Sequence, residues 1–279
     1  MSTFWMENIV RGPHNIWRLI RTGATFQRTG AMGAVLDAFE APQILRAAAR
    51  IIGAPFFWLG LKGDKKMPPV TRALTALGPA YIKFGQILST RPDLVGEEMA
   101  NQLRVLQDKL SPFPVREAKA IFFAATGKNP DDIFSEFSEP VAAASIAQVH
   151  KAIFLETNEI VAIKVLRPGI EKAFKKDIDA LYFAASVIEF LAPGARRLRP
   201  RDVIKHFEGI VLEELDLRLE TAAASEFSAT TKDDEGFILP QLKWQFSARR
   251  VMTMGWAEGI PLGDNEALDA AGHDRAKLG

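Results

Sequence analysis

The spacing of apolar and polar residues divides the chain into a long helical part followed by a part of mixed texture. Over residues 1 to about 62, Trp5, Ile9, Ile16, Trp17 and Ile20, then Leu36, Phe39, Ile44, Leu45, Ile51 and Ile52, recur at intervals compatible with amphipathic helices. The stretch Lys62 to Pro69 (KGDKKMPP) reads as a linker, by its charge run and paired prolines. From Val70 to about Leu110 the pattern is helical again, broken at S-T-R-P-D, where Pro92 cannot continue a helix and Thr90 and Asp93 are natural caps. A further helix is expected from Val115 to Ala125, ending at Gly127.

Around Ile133 the period changes. Short runs at Ile133 to Phe137, Ile146 to Ile153 and Ile160 to Val165, punctuated by Ser, Pro and the turn T-N-E, predict an antiparallel meander. Two long helices should follow, Lys172 to Leu191 and Pro200 to Thr230, split at Pro193-Gly194. Strands are expected again at Ile238 to Pro240, Leu242 to Phe246 and Arg250 to Trp256. The fold class is therefore α+β.

Composition narrows the function classes. With 279 residues, 48% of them hydrophobic, the chain has material for one large core or two ordinary ones. Its 35 basic and 34 acidic residues nearly cancel, which argues against nucleic acid as a bulk electrostatic partner. The absence of cysteine excludes disulfides, thiolate chemistry and Cys-ligated zinc, and fits a reducing compartment. His14, His150, His206 and His273 lack ligand spacing and read as structural or surface residues. Ile44 to Leu61 is interrupted by Arg46, Arg50 and Pro55 and falls short of the roughly 20 clean apolar residues of a membrane span. Glu7, Arg11 and Pro13 break any signal-peptide core, which points to the cytoplasmic side. The N-terminal region is locally basic through Arg11, Arg18, Arg21 and Arg28, then Arg46, Arg50, Lys62, Lys65, Lys66 and Arg72. Basic residues flanking Trp and Phe suit either a helix in an anionic membrane interface or the solvated faces of packed helices.

Four stretches carry candidate chemistry. In Pro79 to Leu94 (PAYIKFGQILSTRPDL), Lys83 and Gln86 interrupt an apolar helical run, where a cation and an amide need waiting partners. Val161-Ala162-Ile163-Lys164 has the V-A-I-K form that puts a kinase lysine on the third strand of the small lobe, facing nucleotide phosphates. Laid on the kinase pattern G-x-G-x-x-G-x-V, the glycine positions fall on Ala142, Ala144 and Ala147, with Val149 as the strand valine. Alanine carries a Cβ and favours helix, so this loop should grip phosphate differently from a glycine loop. Finally, on one continuous helix Glu213, Asp216 and Glu220 would form an acidic stripe needing cationic partners such as Lys83, Lys164 or a divalent ion, and Leu212, Leu215, Leu217 and Leu219 would bury that helix.

K-F-G-Q followed by S-T-R-P-D-L resembles the K-x-G-Q signature of the UbiB family, the aarF-domain atypical protein-kinase-like proteins tied to ubiquinone (coenzyme Q) biosynthesis. Gln107, Asp108 and Lys109 with Pro112 resemble its Q-D-K-x-x-P stretch, Ala142, Ala143, Ala144, Ser145, Ile146 and Ala147 its alanine-rich loop, and Glu214-Leu215-Asp216 its E-x-D motif. The resemblance implies a kinase-like small lobe of antiparallel sheet and helices at residues 127–279, preceded by a helical extension at 1–126 that holds the K-x-G-Q helix. It implies that Lys83 meets Glu214 and Asp216 across the nucleotide pocket, that Glu220 pairs with Lys164, and that adenine lies near Met254 to Ala257. ATP with Mg2+ would be the cofactor. Only sixteen residues follow Gly263, without a catalytic Asp/Asn pair or a D-F-G-type aspartate, so the large lobe with its metal ligands is expected to be absent. Implied partners are nucleotide, ubiquinone-pathway proteins or isoprenoid lipid intermediates, and the cytoplasmic face of the inner membrane. Two readings follow: the ATP-binding part of an atypical kinase or ATPase, or a non-catalytic membrane-associated scaffold or lipid-binding protein. Nothing supports a hydroxylase, since neither a flavin or NAD fingerprint nor an iron-ligand cluster can be seen.

Overall fold

Prolines and glycines set the helix boundaries of the N-terminal part. The computed structural model describes residues 2–38, 42–107, 111–191, 197, 199–234, 236 and 238–278. It begins with α1 (Ser2–Thr29), α2 (Ala31–Ala38) and α3 (Gln43–Gly53), the last running into a 3-10 turn at Ala54–Leu59. The expected helical stretch from Val70 is four helices: α4 (Pro69–Leu77), α5 (Pro79–Ser89), α6 (Pro92–Val95) and α7 (Glu97–Arg104), with a 3-10 turn at Val105–Gln107. Pro69, Pro79 and Pro92 each lie in a first turn, where a missing N–H breaks no helical bond. Pro92 therefore starts a helix as well as ending one. Gly78 (φ +119°) and Gly96 (φ +81°) make the sharp turns between segments, in a region L side chains avoid. Asp93 is not a cap but a fork partner of Arg91, at 2.8 and 2.7 Å. Apolar residues of α4, α5 and α7, among them Ala73, Leu74, Ile82, Met99 and Leu103, close one core.

After α8 (Val115–Thr126) and the single turn α9 (Pro130–Ile133) comes an antiparallel sheet of β1 (Phe134–Ala143), β2 (Ala147–Phe154), β3 (Ile160–Leu166) and β4 (Val251–Gly255), in that spatial order. The expected T-N-E turn joins β2 to β3 with Asn158 at φ +57°, a conformation Asn tolerates. Alternation decides the faces. Gln148, His150, Ala152 and Phe154 are buried on β2, and with Val161, Ile163 and Val165 they look toward Ala118, Ile121 and Phe122 of α8. The phenyl rings of Phe134, Phe154 and Phe246 fill the end of this core, with centroids 5.0 to 5.2 Å apart for the two closest pairs.

Two expected strands do not form. Ile238 to Pro240 is irregular, with Ile238 exposed, and Leu242 to Phe246 makes an isolated bridge, Leu242 to Met254, before a 3-10 turn at Trp244–Phe246. Side chains compete with the ladder here: the Thr253 amide donates to Ser247 Oγ at 3.0 Å and the Thr253 hydroxyl donates to the Phe246 carbonyl at 2.7 Å.

The other face of the sheet meets α10 (Ile170–Leu191), α11 (Pro200–Glu214) and α12 (Leu217–Thr230) through a core that includes Leu166, Phe174, Phe207, Val211, Leu217 and Met252. The short α13 (Asn265–Ala270) and α14 (Arg275–Leu278) follow β4. The expected helix Pro200 to Thr230 is thus interrupted at Leu215 and Asp216, and the acidic stripe through Asp216 does not exist. Asp216 is extended (φ −125°) and caps α12, accepting from the Arg218 amide at 3.1 Å. Of the four leucines, Leu215 and Leu217 are buried, while Leu212 and Leu219 are exposed. The Pro193-Gly194 split and residues Asp108 and Lys109 lie outside the described residues.

Two polar ties fasten α1 to this frame. Arg18 forms an ion pair with the buried Asp177 of α10, and Thr22 shares a 2.9 Å hydrogen bond with Tyr81 of α5. Burial pushes the Asp177 carboxyl up, against the pull of the Arg18 charge. Replacing Arg18 by Leu should cost about 3 kcal/mol or more at neutral pH, because a buried carboxylate loses its partner. A carboxyl raised in the folded state binds its proton there before it does in the unfolded chain, so the loss should shrink as pH falls. Urea unfolding of Arg18→Leu across pH checks both statements. A second expectation concerns Gly85, whose added Cβ would run into the Leu106 side chain and lie 2.7 Å from Leu74 Cδ1. Gly85→Ala should destabilise by about 1–3 kcal/mol through overpacking, read as a lower melting midpoint.

Candidate nucleotide site

Lys164 sits in a row of directly paired residues that crosses the whole sheet, Ala142, Val149, Lys164 and Met252, so all four side chains share one face. Its ammonium donates to both carboxylate oxygens of Glu220, at 2.6 and 2.7 Å. Glu220 lies in the first turn of α12, and that turn is anchored: the Leu217 amide donates to the Arg249 carbonyl at 2.9 Å, the Leu217 side chain is fully buried, and Asp216 caps the helix. The lysine thus has one orientation, held from the other side of the core.

The second acid–base pair is Lys83 with Glu214, the last residue of α11. Asp216, two residues further on, pairs with Arg218. Its carboxylate is forked by Arg218 at 2.8 and 2.5 Å, and those hydrogen bonds hold it below the usual carboxylate range. The expected partnership of both E-x-D acids with Lys83 is therefore corrected to Glu214 alone.

Each residue of K-F-G-Q has a separate task on α5. Lys83 reaches Glu214, Phe84 packs edge-on against Phe207 of α11 with centroids 5.3 Å apart, and Gly85 leaves room for Leu74, Leu103 and Leu106. Gln86 donates to the Leu106 carbonyl at 2.8 Å, fastening the turn Val105–Gln107. The amide and the cation do find waiting partners.

The alanine-rich stretch is a hairpin and not a helix. β1 ends at Ala143, β2 begins at Ala147, and the Ala144 amide donates to the Ala147 carbonyl at 2.8 Å. Asn158 and Arg199 are the non-glycine residues at positive φ among those described, so the hairpin makes no demand for glycine. Ser145 and Ile146 at its tip are buried, Ile146 within the helical core.

Two residues of this hairpin's support went unnoticed in the sequence. Gln148 is fully buried; its carbonyl accepts from the Phe113 amide at 2.9 Å and its amide donates to the Phe113 carbonyl at 3.0 Å. Arg167 donates to the carbonyls of Ala144 (3.1 Å) and Ser111 (2.9 Å), with its guanidinium 5.9 Å from the Phe113 ring. The loop Ser111 to Pro114 is thereby strapped to the hairpin. His150 completes the network: Nδ1–H donates to the Ser138 carbonyl at 2.8 Å, which leaves Nε2 to accept from Gln148 at 2.8 Å. Burial lowers the imidazole's pKa, in keeping with a neutral structural histidine. The one available signal was position: Gln148 and His150 occupy the buried phase of β2.

Met254 pairs with Ala162 and so lies on the Lys164 face, while Ala257 is exposed beyond the end of β4. The Trp256 amide still donates to the Ile160 carbonyl at 3.0 Å, and Lys151 stands 5.1 Å over its indole. Among the described residues, no group of three or more His, Asp or Glu side chains is placed to hold a metal ion, and no helix is long and apolar enough to cross a membrane.

Known proteins resemble this chain in sequence. The profile of the ABC1 atypical kinase-like domain matches residues 105–279. Curated relatives bearing the name "Probable protein kinase UbiB" include those of Marinobacter nauticus, 40% identical over 72% of this chain and 37% of the relative, and Xanthomonas euvesicatoria, 37% identical over 94% of this chain and 48% of the relative. A solved structure, of the Rv3197–erythromycin complex from Mycobacterium tuberculosis, is 29% identical over 67% of this chain and 46% of that one, with a TM-score of 0.48. The chain spans less than half the length of the curated relatives it matches. On the extent of these matches, the chain belongs to the UbiB family of ABC1 atypical kinase-like proteins.

Proposed function

We propose that the chain is the ATP-binding portion of a UbiB-type atypical kinase or ATPase that supports ubiquinone biosynthesis at the cytoplasmic face of the inner membrane. The observation that carries this reading is the two-oxygen grip of Glu220 on Lys164, which fixes that cation among Val149, Ala162 and Met252, while Lys151, on the same sheet face, is turned to the Trp256 indole. Such a cation meets nucleotide phosphates, and the flanking Val149, Ala162, Met252 and Met254 suit an adenine ring. These residues fit the group. The Ala144 amide is already spent on closing the hairpin, so the phosphates depend more on Lys164 than they would in a glycine-loop kinase.

In this reading Glu220 orients Lys164, Lys164 holds the phosphates, and the alanine hairpin of residues 142–147 covers them. Lys83 and Glu214 pin α5 beside the site, over the position where a protein substrate would dock, which favours hydrolysis or lipid-coupled work over protein phosphorylation. Bound Mg2+ would supply charge neutralisation on the phosphates, with ligands outside the residues named here.

Lys164→Ala in the full-length protein should weaken MgATP binding by about tenfold or more, with a smaller effect from Glu220→Gln, which keeps a hydrogen-bonding group opposite the lysine. Titration with a fluorescent ATP analogue reads both. Ubiquinone content of cells carrying Lys164→Ala should fall. Normal ubiquinone together with lost ATP binding would instead assign the protein to a non-catalytic scaffold of the pathway.

A further inference from the structure

The helix α3 is built the wrong way round for a helix that packs on a protein core. Ile44, Ile51 and Ile52 are 85%, 73% and 70% exposed. At 100° per residue they lie on one side of the helix. The opposite side is small: Gly53 rests against the Gln27 side chain of α1, whose amide an added Cβ would displace, and Gln27 donates to the Arg50 carbonyl at 3.1 Å. The apolar face continues along the 3-10 turn Ala54–Leu59, with Trp58 72% and Phe57 46% exposed.

This surface is held rigidly. Arg28 of α1 donates to the carbonyls of Trp58 (3.0 Å) and Gly60 (2.8 Å) and lies 5.7 Å from the Phe57 ring centroid. The Trp58 indole N–H donates to the Pro55 carbonyl at 3.0 Å, and Gly60 sits where any Cβ would strike the α1 backbone at Ala24 and Thr25. Isoleucines and aromatic rings displayed on a fixed frame demand a cover.

Charge selects that cover. Lys62, Lys65 and Lys66, immediately after the turn, are exposed, as is Arg50 on the side of α3 away from the isoleucines, and Asp64 is the single acid from Gln43 to Lys66. Arg46, also on α3, pairs with Asp37 at 2.5 Å. Long basic side chains beside Trp, Phe and Ile match the phosphate layer and acyl boundary of a lipid leaflet, with the cations at the headgroups and the rings below them.

We propose that α3 and the turn Ala54–Leu59 form a docking platform that inserts Ile44, Ile51, Ile52, Phe57 and Trp58 into an anionic lipid bilayer. The proposal deepens the membrane-surface part of the function proposed above and is independent of the nucleotide site.

Flotation of the full chain with vesicles tests it, using phosphatidylcholine alone and phosphatidylcholine with about one third phosphatidylglycerol. The protein should float with the anionic vesicles and stay down with the neutral ones. The double variant Ile51→Asp, Trp58→Asp should lose about tenfold or more of the partitioning while keeping its melting temperature, since both side chains already face outward. Lys164→Ala should float like the parent protein, which separates a failed nucleotide reading from a failed platform. Absence of binding to anionic vesicles would overturn the proposal, as would a double variant that floats undiminished. A concentration-dependent dimer by light scattering, abolished by the same two substitutions and without vesicle binding, would assign the face to a second copy of the chain and overturn it equally.

Discussion

The stop between α11 and α12 is the constraint on which the site depends. Glu214 and Glu220 are six residues apart, which on a continuous helix would turn them about 120° from one another along some 9 Å of axis. Lys83 belongs to the helical extension and Lys164 to the sheet, so no single straight helix is arranged to serve both from those positions. The chain solves this by leaving helical geometry at Leu215 and Asp216, burying Leu215 and Leu217 on either side of the break, and using Asp216 to restart the helix. Each acid then sits near a helix end of its own. Arg218 neutralises the capping carboxylate, which keeps it from competing for either lysine.

A second consequence of the architecture is that hydrogen bonds, and not packing alone, hold turns and loops of the extension, and that two of the residues involved, Gln148 and Arg167, reach them from β2 and from the end of β3. Gln86 holds the turn Val105–Gln107, while Gln148 and Arg167 hold the loop at Ser111 and Phe113 that comes a few residues later. Both glutamines bind backbone with a primary amide, which offers a donor and an acceptor in a fixed geometry. Arg167 joins the Ala144 carbonyl of the alanine hairpin to the Ser111 carbonyl. Of these ties, the one at Gln148 is fully buried.

Much of this was legible in the chain itself. The antiparallel meander, the T-N-E turn, the strand lysine and its glutamate on a later helix all follow from period, turn chemistry and the resemblance carried by K-F-G-Q, V-A-I-K and E-x-D. What was not legible has physical causes. Alanine's helix propensity says nothing at Ala142 to Ala147, because cross-strand pairing with β2 outweighs it. The helix break at Leu215 carries no proline or glycine and is set by tertiary burial. Residues 242–246 have strand composition, yet Ser247 and Thr253 offer side-chain bonds that replace the ladder. The isoleucines of α3 have a helical period that reveals the helix but not the side from which it is covered.

The satisfied amide of Thr253 matters beyond the local turn. A four-stranded sheet exposes two rims, and an unpaired rim invites strand addition from another chain, the usual first step toward edge-to-edge aggregation. On the β4 rim, Ser247 Oγ takes the Thr253 amide and the Gln241 carbonyl takes that of Gly255 at 2.9 Å, so the outward donors there are occupied. On the β1 rim, Pro140 withholds a donor and register shifts flank it on both sides, twisting the strand away from regular pairing. Both rims are blunted by local chemistry, and the sheet is self-limiting at four strands.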